Sequence, residues 1–151
     1  MIASRQDTCR QEATRKKRIG HWHREELCSR AEIDAVLQKV AVDMAERKYS
    51  PRKIFAVRLA LEEAIVNAIR HGHHDDPSRK VRVRFQVRPA RVLLEVRDRG
   101  NGFDPEQVPD PCAPENLERS SGRGLLLMRA YMSWIRFNSR GNCLTMCLSR
   151  F

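Results

Sequence analysis

Residues 50–72 constrain this chain more than any other stretch, because they predict a helix that carries polar residues inside an apolar pattern. Ser50 and Pro51 suit the N-cap and the first helical position, and Gly72 suits the C-terminal end. The residues between them are mostly strong helix formers. We therefore expect one helix of about twenty residues.

This predicted helix has two apolar sides, so we expect it to be buried on most of its circumference. The first side consists of Ile54, Val57, Leu61, Ala64, Ile65 and Ala68. The second consists of Phe55, Leu59 and Val66. Between them runs a narrow strip of small and polar residues, Ala56, Ala60, Glu63 and Asn67. The small residues of this strip predict open space beside the polar pair.

Glu63 and Asn67 are four residues apart and therefore lie on the same face of a helix. A carboxylate in such a place could act as a base, and the side-chain oxygen of an Asn could ligate a hard cation. An ordinary solvated pair would show the same spacing. The helix alone leaves both interpretations open.

The composition suits one globular domain, with 41% hydrophobic residues in a chain of 151. No apolar segment approaches the length of a membrane span, and no hydrophobic signal segment follows Met1, so we expect a cytoplasmic protein without a membrane partner. The five cysteines include no CxxC pair. Their odd number and spacing predict reduced thiols, with neither a disulfide framework nor a zinc site.

The formal net charge of +10 is compatible with nucleic acid, an acidic protein or a polyphosphate ligand. Part of the excess lies in residues 1–18, which we interpret as a basic solvated tail ahead of a single domain at 19–151. The few aromatic residues do not alternate with the basic ones along the sequence. This pattern disfavours nucleic acid as the partner.

Other elements follow from periodicity and turn residues. Residues 19–27 are compatible with a short strand around Trp22, and Ser29 with Glu32 forms a capping-box pattern ahead of a helix that ends near Arg47. Beyond Gly72 the bunched histidines, His71, His73 and His74, predict a polar loop, since metal ligands usually come from separate elements. Two strand-like runs at 134–139 and 143–148 predict a closing hairpin.

Alternation of apolar and polar residues over 81–87 predicts a half-exposed strand, and 92–96 predicts a second one. Continuing the second alternation places Asp98 on the inward face, at the edge of the core. A carboxylate there needs hydrogen-bond donors. Gly100 and Gly102 directly after it permit a close approach that side chains would block.

Residues 103–121 contain four prolines and no sustained period, so we expect a long loop that is either a lid or disordered. Gly122 and Gly124 then open a predicted helix, whose first amides favour a phosphate group. Arg119 and Arg123 would add positive charge there. A Gly-x-Gly pair alone could equally mark a simple turn.

Taken in order, the three patterns resemble the N, G1 and G2 boxes of the GHKL ATPase superfamily. They are Glu63-x-x-x-Asn67, Asp98-x-Gly100-x-Gly102 and Gly122-x-Gly124. The resemblance implies the Bergerat fold, an α+β, two-layer α/β sandwich with helices on one face of a mostly antiparallel sheet. Segments 67–72 and 118–124 look most like the RsbW-type anti-sigma-factor serine kinases, and the likeness spans about residues 29–148.

The resemblance also implies roles. Glu63 would be the catalytic general base, Asn67 would hold Mg²⁺, and Asp98 would accept a hydrogen bond from the adenine amine of ATP. The full set expected to contact the nucleotide is Asn67, Asp98, Gly100, Gly102, Arg119, Gly122, Arg123 and Gly124. One departure stands out, because the family commonly has a hydroxyl residue after the glycine of the last strand, where this chain has Asn142 and Cys143.

The implied activity is that of an ATP-dependent protein serine kinase and anti-sigma regulator. Its substrate would be a STAS-type anti-anti-sigma protein, its other partner a sigma factor, and a homodimer is compatible with this class. The alternative is a partner-switch module that binds ATP without transferring phosphate. Glu63 favours the enzyme, because nucleotide binding alone needs no base. A histidine kinase or a gyrase- or MutL-like protein would need domains that this sequence lacks.

Overall fold

The computed structural model describes residues 21–107, 113–116 and 123–151. The predicted tail at 1–18, much of the predicted lid loop, and the candidate residues Arg119 and Gly122 lie outside these ranges. The strands are β1 (His23–Leu27), β2 (Val81–Val87), β3 (Arg91–Arg97), β4 (Trp134–Phe137) and β5 (Cys143–Ser149). The α-helices are α1 (Ile33–Glu46), α2 (Pro51–Asn67) and α3 (Arg123–Tyr131).

The described strands form one sheet in the order β1-β2-β3-β5-β4, and every neighbouring pair is antiparallel. Register places Val83 opposite Val96 and Leu94 opposite Met146. These residues are all buried, because the face that carries them is covered by the helices. The predicted class, an α+β two-layer fold with helices on one face of a mostly antiparallel sheet, is confirmed.

The core lies between this face of the sheet and the apolar sides of α1 and α2. Val40 and Met44 of α1 and Leu61 and Ile65 of α2 are fully buried there. Full burial of such a side chain stabilises a fold by about 1.5–3 kcal/mol. The apolar residues that alternate along β2 and β3 therefore face this core, and the polar residues between them lie on the opposite face of the sheet.

Capping residues set the helix starts. The Glu32 carboxylate accepts from the backbone N–H of Ser29 at 3.0 Å, as a capping box requires, and also from that of Cys28 at 2.7 Å. One 3₁₀ turn (Arg30–Glu32) then leads into α1. Ser50 Oγ accepts from Lys53 N at 3.3 Å, with Pro51 at the first position of α2. The backbone then continues as a π-helical turn over Ala68–Gly72, so the helical run ends where the sequence predicted.

One expectation about this helix is wrong. The second apolar side is only partly buried. Phe55 is 59% exposed and contacts Tyr131 edge-on, at a ring separation of 6.4 Å, while Leu59 and Val66 are partly buried. The strip of small residues is covered instead, with Ala56 and Ala60 both buried. Small side chains let a neighbouring element pack closely, and α3 packs against α2. The predicted open space beside Glu63 is therefore closed over these alanines.

The remaining elements agree with their patterns. Strand β1 begins one residue after Trp22, and β4 with β5 forms the predicted hairpin. Cys28, Cys143 and Cys147 are free thiols. None of the helices in the described ranges combines the length and the apolar character that crossing a lipid bilayer requires.

Candidate functional site

The candidate site begins where α2 meets the start of α3. A Cβ built on Gly124 would lie 2.5 Å from Glu63 Oε2 and 3.3 Å from Asn67 Nδ2. A side chain at position 124 would displace the Glu63 carboxylate, so glycine permits the first turn of α3 to pack on this polar pair as it stands. The structure thus brings the first and third sequence patterns together. Arg123, beside Gly124, lies on the same turn and is exposed.

The C-terminal end of the same helical run meets the second pattern. A Cβ on Gly72 would lie 2.5 Å from Asp98 Cγ, and one on Gly100 would collide with the carbonyl oxygen of Gly72. Glycine at both positions allows the loop after β3 to lie directly against the helix end. One helical run therefore contacts both glycine-bearing segments.

Asp98 follows β3 and is partly buried, as its inward register predicted. Its Oδ1 accepts from Gly100 N at 2.7 Å, and its own backbone N–H donates to Asn142 O at 3.0 Å. Burial raises the pKa of Asp98, while the bond from Gly100 and the nearby His73 oppose the rise. A carboxylate can accept about four hydrogen bonds, so Asp98 keeps capacity for a ligand donor.

His73 is a site residue that the sequence interpretation missed. It is 2% exposed, and its Nε2 accepts from the backbone N–H of Arg99 at 2.7 Å. An accepting Nε2 requires the neutral ring with its proton on Nδ1. Burial lowers the pKa of His73 and so favours this neutral form. The sequence shows only three bunched histidines, and no pattern in it indicates which one would reach the loop after β3.

The far end of that loop rests on the turn between β4 and β5. Gly102 and Gly141 both have positive φ, +80° and +75°. A Cβ on Gly102 would meet the carbonyl oxygen of Arg140, and one on Gly141 would meet that of Phe103. Glycine is needed twice here, for the backbone conformation and for the close crossing.

Asn142 ties this turn to the site. Its Nδ2 donates to Asp98 O at 3.3 Å, and its Oδ1 accepts from Asn138 Nδ2 at 2.8 Å. The side chain that replaces the expected hydroxyl is thus bonded to backbone and to a neighbouring amide. Cys143 beside it is buried, and burial raises the pKa of its thiol, so the thiol stays protonated at neutral pH.

Two clefts flank the loop of residues 98–102. One, of about 440 Å³, is lined by the loop residues 101–105 and the turn residues 138–140. The other, of about 330 Å³, lies on the far side and is lined mainly by basic side chains. Neither cleft includes Glu63 or Asn67, against which Gly124 packs directly.

A helix whose polar pair and C-terminal end meet two glycine-bearing segments, on one face of an antiparallel sheet, defines the class of histidine-kinase-like ATPase domains. The family model described as "Histidine kinase-like ATPase domain" matches residues 22–148. The chain belongs to this family, and the resemblance drawn from the three motifs is confirmed.

Several similar proteins are named as serine-protein kinases or anti-sigma factors. A serine-protein kinase RsbW of Oceanobacillus iheyensis is 29% identical over 98 residues, covering 61% of this chain and 62% of the relative. An anti-sigma F factor of Clostridium beijerinckii is 30% identical over 122 residues, covering 78% and 85%. The RsbW of Bacillus subtilis is 27% identical over 109 residues, covering 68% of each chain.

Among solved structures, the RsbU and RsbW domains of a Mycobacterium tuberculosis protein superimpose with a TM-score of 0.55 at 16% identity. The match covers 85% of this chain and 32% of that one. This likeness shows the fold alone. The chain also spans only about three fifths of the Oceanobacillus kinase that it matches.

Proposed function

We propose that this chain is an ATP-dependent protein serine kinase that also acts as an anti-sigma regulator. One observation carries the proposal: α2 presents Glu63 and Asn67 to Gly124, and the same helical run ends against Asp98. The general base and the contacts to phosphate and adenine would then come from one helical run and its two neighbours, the start of α3 and the loop after β3. The names of the relatives, serine-protein kinase and anti-sigma F factor, support the same activity.

The adenine end of the nucleotide would lie at the loop after β3. Asp98 would accept a hydrogen bond from the exocyclic amine, because the bond from Gly100 N–H occupies only part of the acceptor capacity of the carboxylate. Gly100 and Gly102 would shape the base pocket, because both already allow close backbone approach. His73 would hold the loop in place through Arg99 N–H.

The phosphate end would lie at the start of α3. The exposed N–H groups of a helix N-terminus favour phosphate, and Gly124 with Arg123 begins this helix. Arg119 and Gly122, which precede it, would extend the same cradle. The Asn67 side chain lies within reach of this turn and offers the oxygen donor that Mg²⁺ prefers. Mg²⁺, when bound, would neutralise the charge of the phosphate oxygens.

Glu63 would act as the general base. Its carboxylate would take the proton of the partner's serine hydroxyl while that oxygen bonds to the γ-phosphorus. The bond from the γ-phosphorus to the bridging oxygen breaks in the same step, and ADP leaves. The amides at Gly122 and Gly124 would stabilise the charge that spreads over the equatorial oxygens.

The phosphorylated partner would be a STAS-type anti-anti-sigma protein, and a sigma factor would be the competing partner. Both assignments rest on the family resemblance and on the relatives' names. A homodimer belongs to the same proposal. Some of the surplus Lys and Arg side chains would then contact an acidic surface of a partner, because complementary charge raises association rates.

The test is incubation of the full chain with Mg-ATP and candidate STAS proteins, followed by detection of phosphoserine. Glu63→Gln should lose at least about a hundredfold in transfer rate while keeping ATP affinity, since general-base catalysis contributes about 10²–10⁴-fold. The matched control is Glu62→Gln, an exposed neighbour on α2, which should transfer normally. Normal transfer by Glu63→Gln, or an equal loss in both variants, would contradict the role of Glu63.

The second candidate is an ATP-binding partner-switch module that transfers no phosphate. It is favoured by the close packing of Gly124 on Glu63, which leaves neither described cleft lined by the expected base. This function predicts ATP-dependent retention of a sigma factor on the immobilised chain, with no phosphoserine on any STAS protein. Transfer to one STAS protein would exclude it.

A further inference from the structure

The face of the sheet opposite the helices has a charged end. Register places Glu26 opposite Arg82 and Arg82 opposite Arg97, so their side chains share this face. No described helix covers it. The cleft of about 330 Å³ lies here. Asp98 of the proposed adenine site borders it, but none of the proposed phosphate-binding residues lines it.

Five cationic side chains line this cleft: Lys80, Arg82, Arg97, Arg99 and Arg140. They come from three separate places, namely the start of β2, the end of β3 with its loop, and the β4–β5 turn. Strand pairing fixes the backbone at the start of β2 and the end of β3, so the side chains project from set positions around one concavity. Positive charge is therefore concentrated at this cleft without any contribution from α2 or α3.

The carboxylates that border the cleft do not balance this charge. Glu26 forms ion pairs with Lys80 at 3.4 Å and Arg82 at 3.7 Å. Asp98 Oδ1 accepts from Gly100 N. Within the described ranges, Arg97, Arg99 and Arg140 form no ion pair with any carboxylate. Like charges held together around one cleft attract an anion.

We propose that this cleft binds a ligand that carries two or more linked phosphate groups. Guanidinium forks match phosphate oxygens in bidentate geometry, and four of the five cations are arginines. The cleft has about the volume that ten water molecules occupy in liquid water, so it can hold more than one phosphate group. The five cationic side chains come from three segments, and together they cover a wider area than one phosphate group would contact.

A nucleic-acid strand fits this face less well. Single-stranded binding needs exposed aromatic rings on which bases stack. The Trp22 ring is covered by the Arg84 guanidinium, 4.6 Å from its centroid, and Trp134 lies on the opposite edge strand. Neither tryptophan lines the cleft.

The test is titration of the metal-free full chain with tripolyphosphate, followed by calorimetry and by amide chemical shifts. The charge-reducing variant is the double substitution Arg97→Gln with Arg140→Gln. Its matched control is Arg24→Gln with Arg136→Gln, which removes the same charge from the same face outside the cleft. We expect shifts at residues 80–82, 97 and 140, which the nucleotide site does not include, and an affinity that falls about tenfold in the first double variant but less than about twofold in the control.

Several outcomes would overturn the proposal. Shifts confined to Glu63, Asn67 and Gly124 would place tripolyphosphate in the nucleotide site only. An equal loss of tripolyphosphate affinity in both double variants would mean that the anion is attracted non-specifically to a basic surface. Equal affinity for inorganic phosphate would contradict the need for two groups, and preferential binding of a single-stranded oligonucleotide would assign the face to nucleic acid. None of these results bears on phosphotransfer by Glu63, so the two proposals fail separately.

Discussion

Gly72 and Asp98 are in direct contact: a Cβ on the glycine would lie 2.5 Å from Cγ of the carboxylate. The end of the helical run that begins at Pro51 therefore fixes the position of the acid that follows β3. We expect Gly72→Ala to displace Asp98 and to weaken ATP binding by about tenfold, since small misplacements of a binding group are costly. Calorimetric titration measures this, with the exposed Arg70→Ala in the same turn as control. Equal affinity of wild type and Gly72→Ala would show that the contact does not position the acid.

Asp98→Asn tests the acid itself. The substitution should weaken ATP binding by about tenfold, because it removes a charge-assisted acceptor for the adenine amine. It should also raise Tm at neutral pH. Burial raises the pKa of Asp98, so the ionised carboxylate costs stability at a pH above its folded-state pKa, and a neutral amide avoids this cost. Thermal unfolding and titration on one preparation measure both effects. Unchanged ATP affinity would refute the adenine assignment, and a fall in Tm would contradict the stability cost of the ionised carboxylate.

His73 predicts a pH dependence. Its folded-state pKa lies below the usual value of 6.5, because burial outweighs the opposing charges of Asp98 and Asp76, while Arg79 and Arg99 lower it further. The unfolded chain then binds a proton that the folded chain does not. Stability from this residue is complete above about pH 6.5 and is lost as the pH falls from there toward the folded-state pKa.

The matched measurement is denaturant unfolding between pH 7.5 and pH 5 for three proteins. His73→Gln keeps an acceptor for Arg99 N–H but does not titrate, so its stability should depend less on pH than that of wild type. His74→Gln, at an exposed neighbour, should retain the full wild-type slope. Parallel slopes for wild type and His73→Gln would mean that His73 titrates as it does in the unfolded chain.

Gly124→Ala tests the packing of α3 on Glu63. The new methyl group would lie 2.5 Å from Glu63 Oε2, the far end of a flexible side chain, so we expect the carboxylate to move and the free energy of unfolding to fall by less than about 1 kcal/mol. Combining it with Glu63→Ala should recover most of this loss, because the colliding oxygen is then absent. A double-mutant cycle measured by urea unfolding gives the coupling. Additive effects of the two substitutions would show that they do not touch.

Much of the fold follows from local sequence patterns. The alternation at Val81, Val83, Val92 and Val96 sets register and burial together, since a shift of one residue would turn the apolar side chains to solvent. The capping residues Ser29 and Ser50 fixed two helix starts for the same local reason. Asp98 could be placed at the core edge because its strand is regular up to Arg97.

The features missed by the sequence interpretation depend on contacts between distant segments. His73 reaches Arg99, 26 positions away, and Asn142 reaches Asp98, 44 positions away. Phe55 looked like a core residue on a helical wheel, yet it is 59% exposed and contacts Tyr131 only at its edge. Periodicity reports which side of an element is apolar, but it does not report what packs against it.

We propose that Asn67, Asp98 and Gly124 contact one magnesium nucleotide. The most direct measurement is the change in amide chemical shifts when the full chain is titrated with a non-hydrolysable ATP analogue and Mg²⁺. We expect the amide signals of residues 63–67, 98–102 and 123–124 to shift together with one dissociation constant. Shifts that leave residues 63–67 and 123–124 unchanged, or that follow separate dissociation constants, would contradict it.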